Sequence, residues 1–310
     1  MRKFLLSIFL VTALLLTACG DSKSDKEAVV DAFDSILEAD SYESSTSIDL
    51  ELDADFNDPT VEPFIQMVND IELKADSVYD AEQALQEAVF YFSGTLSPMT
   101  FTVEVPFLQD LQNNVMYIET DSIIDNFGLF LGLPEDLKGY LVEIDLEEIE
   151  DADAPSTEEL NAHTQEIISE LLNEKSDDDF SRDGDVYTVV FTEDDIKNLI
   201  EKSFELVDDT VPADELQFAL EGLDEVFNEL DINALEMQLT IDNGELKEQN
   251  FVIDVLVEEG DEYLGIALTI NTAYENMNGN VEFTINPDDY DILSMEELEQ
   301  LIFELMYYGY

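Results

Sequence analysis

The sequence predicts an α+β fold: a large curved antiparallel β-sheet, a half-barrel, with helices covering its concave face. Three observations carry this. Ser47 to Phe56 alternates strictly, with Ile48, Leu50, Leu52, Ala54 and Phe56 on one side and Ser47, Asp49, Glu51, Asp53 and Asp55 on the other. That is the period of a strand with one apolar and one wet face. Later stretches repeat this style and are joined by hairpin signals such as Asp183-Gly184 and Asn243-Gly244. Between them lie segments with apolar residues at helical spacing, the first being Val29, Val30, Phe33, Ile36 and Leu37.

The chain opens with Arg2 and Lys3, then the apolar run Phe4 to Leu16, interrupted only by Ser7 and Thr12. The run is shorter than the roughly 20 residues that span a bilayer, and it fits the apolar core of a signal peptide. It meets Leu16-Thr17-Ala18-Cys19, the pattern of a lipobox, so residues 1–18 are expected to be a lipoprotein signal peptide and Cys19 the lipidated residue. Cys19 is the single cysteine, which excludes an internal disulfide and a multi-thiolate zinc site. A diacylglyceryl anchor at Cys19 would hold the protein on the extracytoplasmic face of a cell membrane. Residues 19–26 read as the lipidated cysteine and a short linker, and 27–310 as one α+β domain. No later apolar run is long enough to cross a bilayer.

The expected elements follow in order. A helix covers Asp25 to Ala39. Strands follow at Ser47–Phe56 and Ile71–Tyr79, with a short helical insertion between Pro59 and Asn69. Further strands fall at Val89–Ser93, Met99–Val105, Val115–Glu119 and Tyr140–Leu146, with a helix or loop over Ile123–Leu133. Glu147–Pro155 reads as an acidic connector. Ser156 and Glu159 form a capping box for a helix reaching Lys175. A strand at Val186–Phe191 precedes a helix capped by Thr192, with acids in its first turn near the positive end of the dipole. Pro212 starts another helix. Strands at Leu235–Ile241, Glu245–Val257, Tyr263–Tyr274 and Asn280–Ile285 form a meander, and Ser294 with Glu297 caps a final helix to about Tyr307.

The charge is the strongest compositional feature: 76 acids against 11 bases, a net charge of −65, with 45% hydrophobic residues. This pattern predicts a folded core under an acidic shell. Such a surface repels nucleic acid, whose binding needs Lys and Arg on phosphates. Self-repulsion at low salt destabilises a compact chain, and salt screens it, so the composition suits a halophile's surface or neutralisation by monovalent or divalent cations.

Catalytic chemistry finds little support, and the reading is of a non-enzyme with no cofactor. His163 is the single histidine and lies at the edge of an apolar helical stripe. No Gly-x-Ser-x-Gly turn presents a nucleophile. A carboxylate pair would need a sugar cleft, and the chain has no Trp. Asp179, Ser181 and Asp183 in first, third and fifth position, Gly184 in sixth and Asp185 after it imitate the start of a calcium loop, with Asp179, Asp183 and Asp185 as its candidate carboxylates. The twelfth position is Val190 rather than Glu, and a β-hairpin fits the same residues better. Acidic runs at Asp151–Asp153 and Asp177–Asp179 are sites for diffuse cation binding. The aromatic residues Phe90, Tyr91, Phe92, Phe101, Phe107, Phe127 and Phe130 fit either an apolar pocket or a plain core.

Three stretches carry a resemblance. Val115-Met116-Tyr117-Ile118-Glu119-Thr120-Asp121 is followed by Leu137-Lys138-Gly139-Tyr140 and Glu143-Ile144-Asp145. Asp183-Gly184-Asp185-Val186-Tyr187-Thr188 leads into Thr192-Glu193-Asp194-Asp195-Ile196. The hairpin at Asp242-Asn243-Gly244 feeds a long meander. With the lipobox, the chain resembles uncharacterised surface lipoproteins of Gram-positive bacteria and the LolA/LppX type. That resemblance implies a half-barrel whose hollow, partly plugged by helices, receives a lipid or other apolar molecule. It designates no individual binding residue. The competing expectation is a structural or interaction protein of the envelope with an acidic, cation-binding surface.

Overall fold

The computed structural model describes residues 23–56, 61–96, 99–146, 167–206, 222, 227, 230–260 and 262–308. The expected connector at Glu147–Pro155, the capping box at Ser156, the helix at Pro212 and the signal segment lie outside them.

Twelve strands form one large, curved, open sheet: β1 (Ser41–Asp55), β2 (Glu72–Asp80), β3 (Leu85–Leu96), β4 (Met99–Asp110), β5 (Val115–Glu119), β6 (Tyr140–Asp145), β7 (Phe180–Asp183), β8 (Val186–Val190), β9 (Leu230–Asp242), β10 (Glu245–Glu259), β11 (Glu262–Glu275) and β12 (Asp291–Ser294). Their order is β12-β6-β5-β4-β3-β2-β1-β11-β10-β9-β8-β7. The helices among the described residues are α1 (Asp25–Leu37), α2 (Glu62–Asn69), α3 (Thr120–Leu131), α4 (residues 167–174), α5 (Glu193–Leu206) and α6 (Met295–Tyr308).

Most of the expected elements form, and local chemistry explains their ends. Ser24 and Glu27 build a reciprocal cap on α1. Thr192 accepts from the Asp195 N–H at the start of α5, and Ser294 accepts from the Glu297 N–H at the start of α6. Asn243 and Gly244 both take positive φ, 54° and 86°, as the two-residue β9–β10 hairpin requires.

Two expectations are corrected. The sheet is mixed rather than antiparallel, because β12 pairs in parallel with β6. Residues 280–285 form no strand. After β11 the chain leaves the sheet plane and crosses the opposite face as a strap. The Asn278 N–H donates to the Ser41 carbonyl at 2.7 Å, and Ser41 Oγ donates to the Gly279 carbonyl at 2.8 Å. The strap then reaches Glu87 on β3 and delivers β12 to the far edge. Arriving from across the face, it reaches β6 running in the same direction, as no hairpin could bring it.

Register sorts the side chains. On one face of β1 lie Tyr42, Ser44, Thr46, Ile48, Leu50, Leu52 and Ala54; on the other lie Glu43, Ser45, Ser47, Asp49, Glu51, Asp53 and Asp55. The larger core cluster packs Val29 and Ala32 of α1 and Leu172 of α4 against Phe180, Tyr187, Val189, Met237 and Leu239 on the apolar face. A smaller cluster, Leu108, Leu141 and Ile285 with Phe283 and Tyr290 beside it, lies under the strap on the acidic face.

Two strands outrun their neighbours, and in each case an asparagine amide takes the missing partner's place. β2 pairs with β1 only as far as Ile48. Beyond that, Asn69 of α2 accepts from the Leu52 N–H at 2.7 Å and donates to its carbonyl at 2.9 Å. β5 pairs with β4 only from Phe107 onward. Asn126 of α3 donates to the Glu104 carbonyl at 2.6 Å and accepts from its N–H at 3.4 Å. Each amide offers one donor and one acceptor, as a strand residue does.

Candidate functional site

The apolar face of the sheet is ordered in rows across the strands. Ser77, Ser44 and Tyr274 share one row; Ala75, Thr46 and Thr272 the next; Leu73, Ile48 and Ile270 the third. Leu50 with Leu268, then Leu52 with Ile266, extend the aliphatic part. Across β3 and β4 the same face continues as Phe90 opposite Val105 and Phe92 opposite Val103.

Within these rows the groups pair. Ser44 Oγ and Ser77 Oγ are 2.7 Å apart, and Thr46 Oγ1 and Thr272 Oγ1 are 3.0 Å apart. Above them Tyr42 lies 5.3 Å from Tyr79 and 6.0 Å edge-on from Tyr274, ring centroid to centroid. Burial, aided by the neighbouring Tyr42, pushes the Tyr274 phenol up to about 12, so it stays a neutral donor. Phe90 stacks on Phe107 at 5.4 Å, and Phe92 meets Phe101 at 5.1 Å. Gly94 makes room for that second pair: a Cβ there would sit 2.8 Å from the Phe101 ring.

This face is open in its middle. Phe90 is 52% exposed, Leu50 37% and Leu73 36%. Four of the phenylalanines singled out in the sequence, Phe90, Phe92, Phe101 and Phe107, therefore share it; alternation sends Tyr91 to the acidic side, opposite Lys74 and Glu104. Among the described residues they form an open floor. A cavity of about 330 Å³ lies instead on the acidic face, between β1, β2, β3, β11 and the strap, with Glu43, Asp76, Glu87 and Glu275 in its wall. Another, of about 390 Å³, lies between α2 and the end of β1, lined by Leu52, Phe56, Val61 and Ile65 among others. Neither is lined by Phe90, Phe92, Phe101 or Phe107.

Cys19, His163 and Asp151–Asp153 lie outside the described residues. The calcium-like loop is the hairpin of β7 and β8, with Gly184 at φ 65° in its turn. Its carboxylates serve separate ends. Asp179 accepts from the Ser176 N–H at 3.0 Å and pairs with Lys175 at 3.7 Å; Asp185 lies 4.0 Å from Arg182. Among the described residues no three His, Cys, Asp or Glu side chains gather as a metal ion would need.

Two charged residues that the sequence did not single out are buried. Glu87 accepts from the Thr284 N–H at 2.7 Å, the Thr284 hydroxyl at 2.5 Å and the Ile285 N–H at 2.8 Å. Lys175 lies 2.7 Å from Asp195 and 5.1 Å over the Phe191 ring. Burial alone would raise the Asp195 carboxyl. Hydrogen bonds from Lys175 and from the Thr192 N–H and hydroxyl outweigh it and hold the group below the usual carboxylate range. Glu87 sits in an ordinary alternating strand, so only the strap's arrival distinguishes it from its acidic neighbours.

Compared with models of known protein families and with curated proteins, the sequence matches none.

Proposed function

We propose that the chain is a non-enzymatic lipoprotein, anchored through a diacylglyceryl group on Cys19 to the extracytoplasmic face of a cell membrane, that holds a lipid or other apolar ligand. The apolar sheet face is the hollow of a half-barrel and the concave side of its curvature, and helices including α1 cover part of it. The observation that carries this reading is the open middle of that face, where Phe90 is 52% exposed beside Leu50 and Leu73. A contiguous apolar surface left open in a folded chain marks a binding site. The test is organic extraction of the purified chain, followed by mass spectrometry against a denatured control. A stoichiometric apolar compound supports the carrier. A clean extract from a chain that melts cooperatively overturns it. Cys19→Ser is expected to move the protein out of acylated, membrane-bound fractions.

The acidic face supports a second reading, an interaction surface of the envelope adapted to salt or cations. Asp49, Glu51, Asp53 and Asp55 are all exposed on one side of β1. The melting temperature is expected to rise between 0.05 M and 2 M NaCl as screening shortens from about 10 Å towards about 3 Å. A melting temperature indifferent to salt removes this reading.

A further inference from the structure

The open middle of this face is uncharged as well as apolar, and its polar groups are gathered at one end. Along β1 from Tyr42 to Ala54, β2 from Leu73 to Tyr79, and β11 from Leu264 to Tyr274, register places no acid or base on this side. In a chain of net charge −65, the carboxylates within these spans all project from the opposite face; Glu262, at the far start of β11 beyond the aliphatic rows, is the one acid of the three strands that register puts on this side. The polar groups on the open face are neutral. The Ser44–Ser77 and Thr46–Thr272 hydroxyl pairs form a band, with the tyrosines on one side of it and about 13 Å of aliphatic rows, Ile48 to Leu52, on the other.

In each hydroxyl pair one O–H donates to the other oxygen, so the accepting hydroxyl keeps its own proton, and lone pairs remain. The band can thus both donate to and accept from a ligand. It offers no counter-ion. Strands β1, β3, β4, β5, β6, β9 and β11 contain no Lys or Arg. The remaining strand bases are occupied elsewhere. Lys74 projects from the acidic face towards Glu72, Arg182 donates to the Gly184 carbonyl in the β7–β8 turn, and Lys247 pairs with Glu245. An anionic headgroup placed at the band would lose water without gaining a cation from these strands, and a cationic one would find no carboxylate in the band's own rows.

Resting on the apolar-ligand reading, we infer that the ligand is an amphiphile with an uncharged, hydroxyl-bearing head, of the acylglycerol class. Its head lies at the Ser44–Ser77 and Thr46–Thr272 band, and its tail lies along the aliphatic rows towards Leu52, against Leu73 and Phe90. The hydroxyl pairs set the preference for the head; the rows and the phenylalanine hold the tail.

The experiment is calorimetric titration of the full chain carrying Cys19→Ser with three probes that share one tail: a monoacylglycerol, the free fatty acid and the alkylamine. The monoacylglycerol is expected to bind at least about tenfold tighter than either charged probe, the difference made by an unpaired charge against satisfied hydroxyls. Ser44→Ala with Ser77→Ala, and separately Thr46→Val with Thr272→Val, should reduce that preference to about threefold or less while the fatty acid binds as before. Equal binding of all three probes overturns the head-group inference and leaves the apolar-ligand reading standing. No binding of any probe by a chain with a cooperative melt overturns both. The comparison of probes on the unsubstituted band needs no band variant to fold.

Discussion

Glu87 and Lys175 are similarly buried, at 4% and 6% exposure, on opposite sides of the molecule. Lys175 sits where α4 meets α5, at the edge of the larger core, and is matched by carboxylates and an aromatic ring. Its neighbourhood is tied further by Lys26 of α1, whose ammonium donates to the Asn173 and Lys175 carbonyls at the end of α4. Glu87 sits under the strap, and its described partners are two backbone N–H groups and a hydroxyl. The strap has no ladder at these residues, so its amides need acceptors from elsewhere, and a carboxylate supplies them with charge-assisted bonds. One buried charge joins helices by ion pairing, while the other substitutes for missing secondary structure.

The largest effect is expected from Glu87→Ala. It leaves the Thr284 and Ile285 amides without their acceptor and is expected to cost about 3 kcal/mol. Amide exchange should rise first over residues 280–294, while the β9–β10 pair stays protected. Uniform loss of protection across the sheet would mean that Glu87 supports the whole fold and not the strap.

Lys175→Ala comes next, at about 2 kcal/mol, because it leaves Asp195 partly buried without its cation. Asp195 is held below its ordinary value of 3.8 in the folded chain, so its contribution is present above that value and fades as pH falls through the lower folded one. Chemical denaturation at several pH values should therefore show the parent and the variant converging in acid. A gap that does not narrow in acid would assign the loss to packing against Phe191 instead.

The two asparagine clasps should be weaker, at about 1 kcal/mol each for Asn69→Ala and Asn126→Ala. The two clasps share no partner, so the double variant should lose the sum to within about 0.5 kcal/mol. A clear departure from additivity in a thermal melt would show that the two open strand edges communicate through the sheet.

The sequence was most legible where a local rule acts alone. Alternation along Ser47–Phe56 places the apolar and acidic residues of β1 on the faces they occupy. Asn243-Gly244 makes its hairpin, and Ser294 with Glu297 starts α6 where expected. Residues 280–285 misled because Val281, Phe283 and Ile285 alternate with Glu282 and Thr284 as a strand would. Their apolar side chains serve the smaller core from a chain lying across the sheet, with Phe283 and Ile285 packed in that cluster. Of the candidate site, the phenylalanines were visible as a set. The hydroxyl band was not, because Ser44, Ser77, Thr46 and Thr272 come together only through pairing between distant strands.

By itself the sequence determined the α+β class, the acidic shell, the strand periods and the helix starts, because each depends on residues within a few positions of one another. Only the tertiary structure decided the strand order, the parallel β12–β6 pair and the strap. It alone joined Glu87 to residues 284 and 285 and gathered four hydroxyls into one band. Those features depend on which distant segments share an edge or a face, a choice made by the packing of the whole sheet.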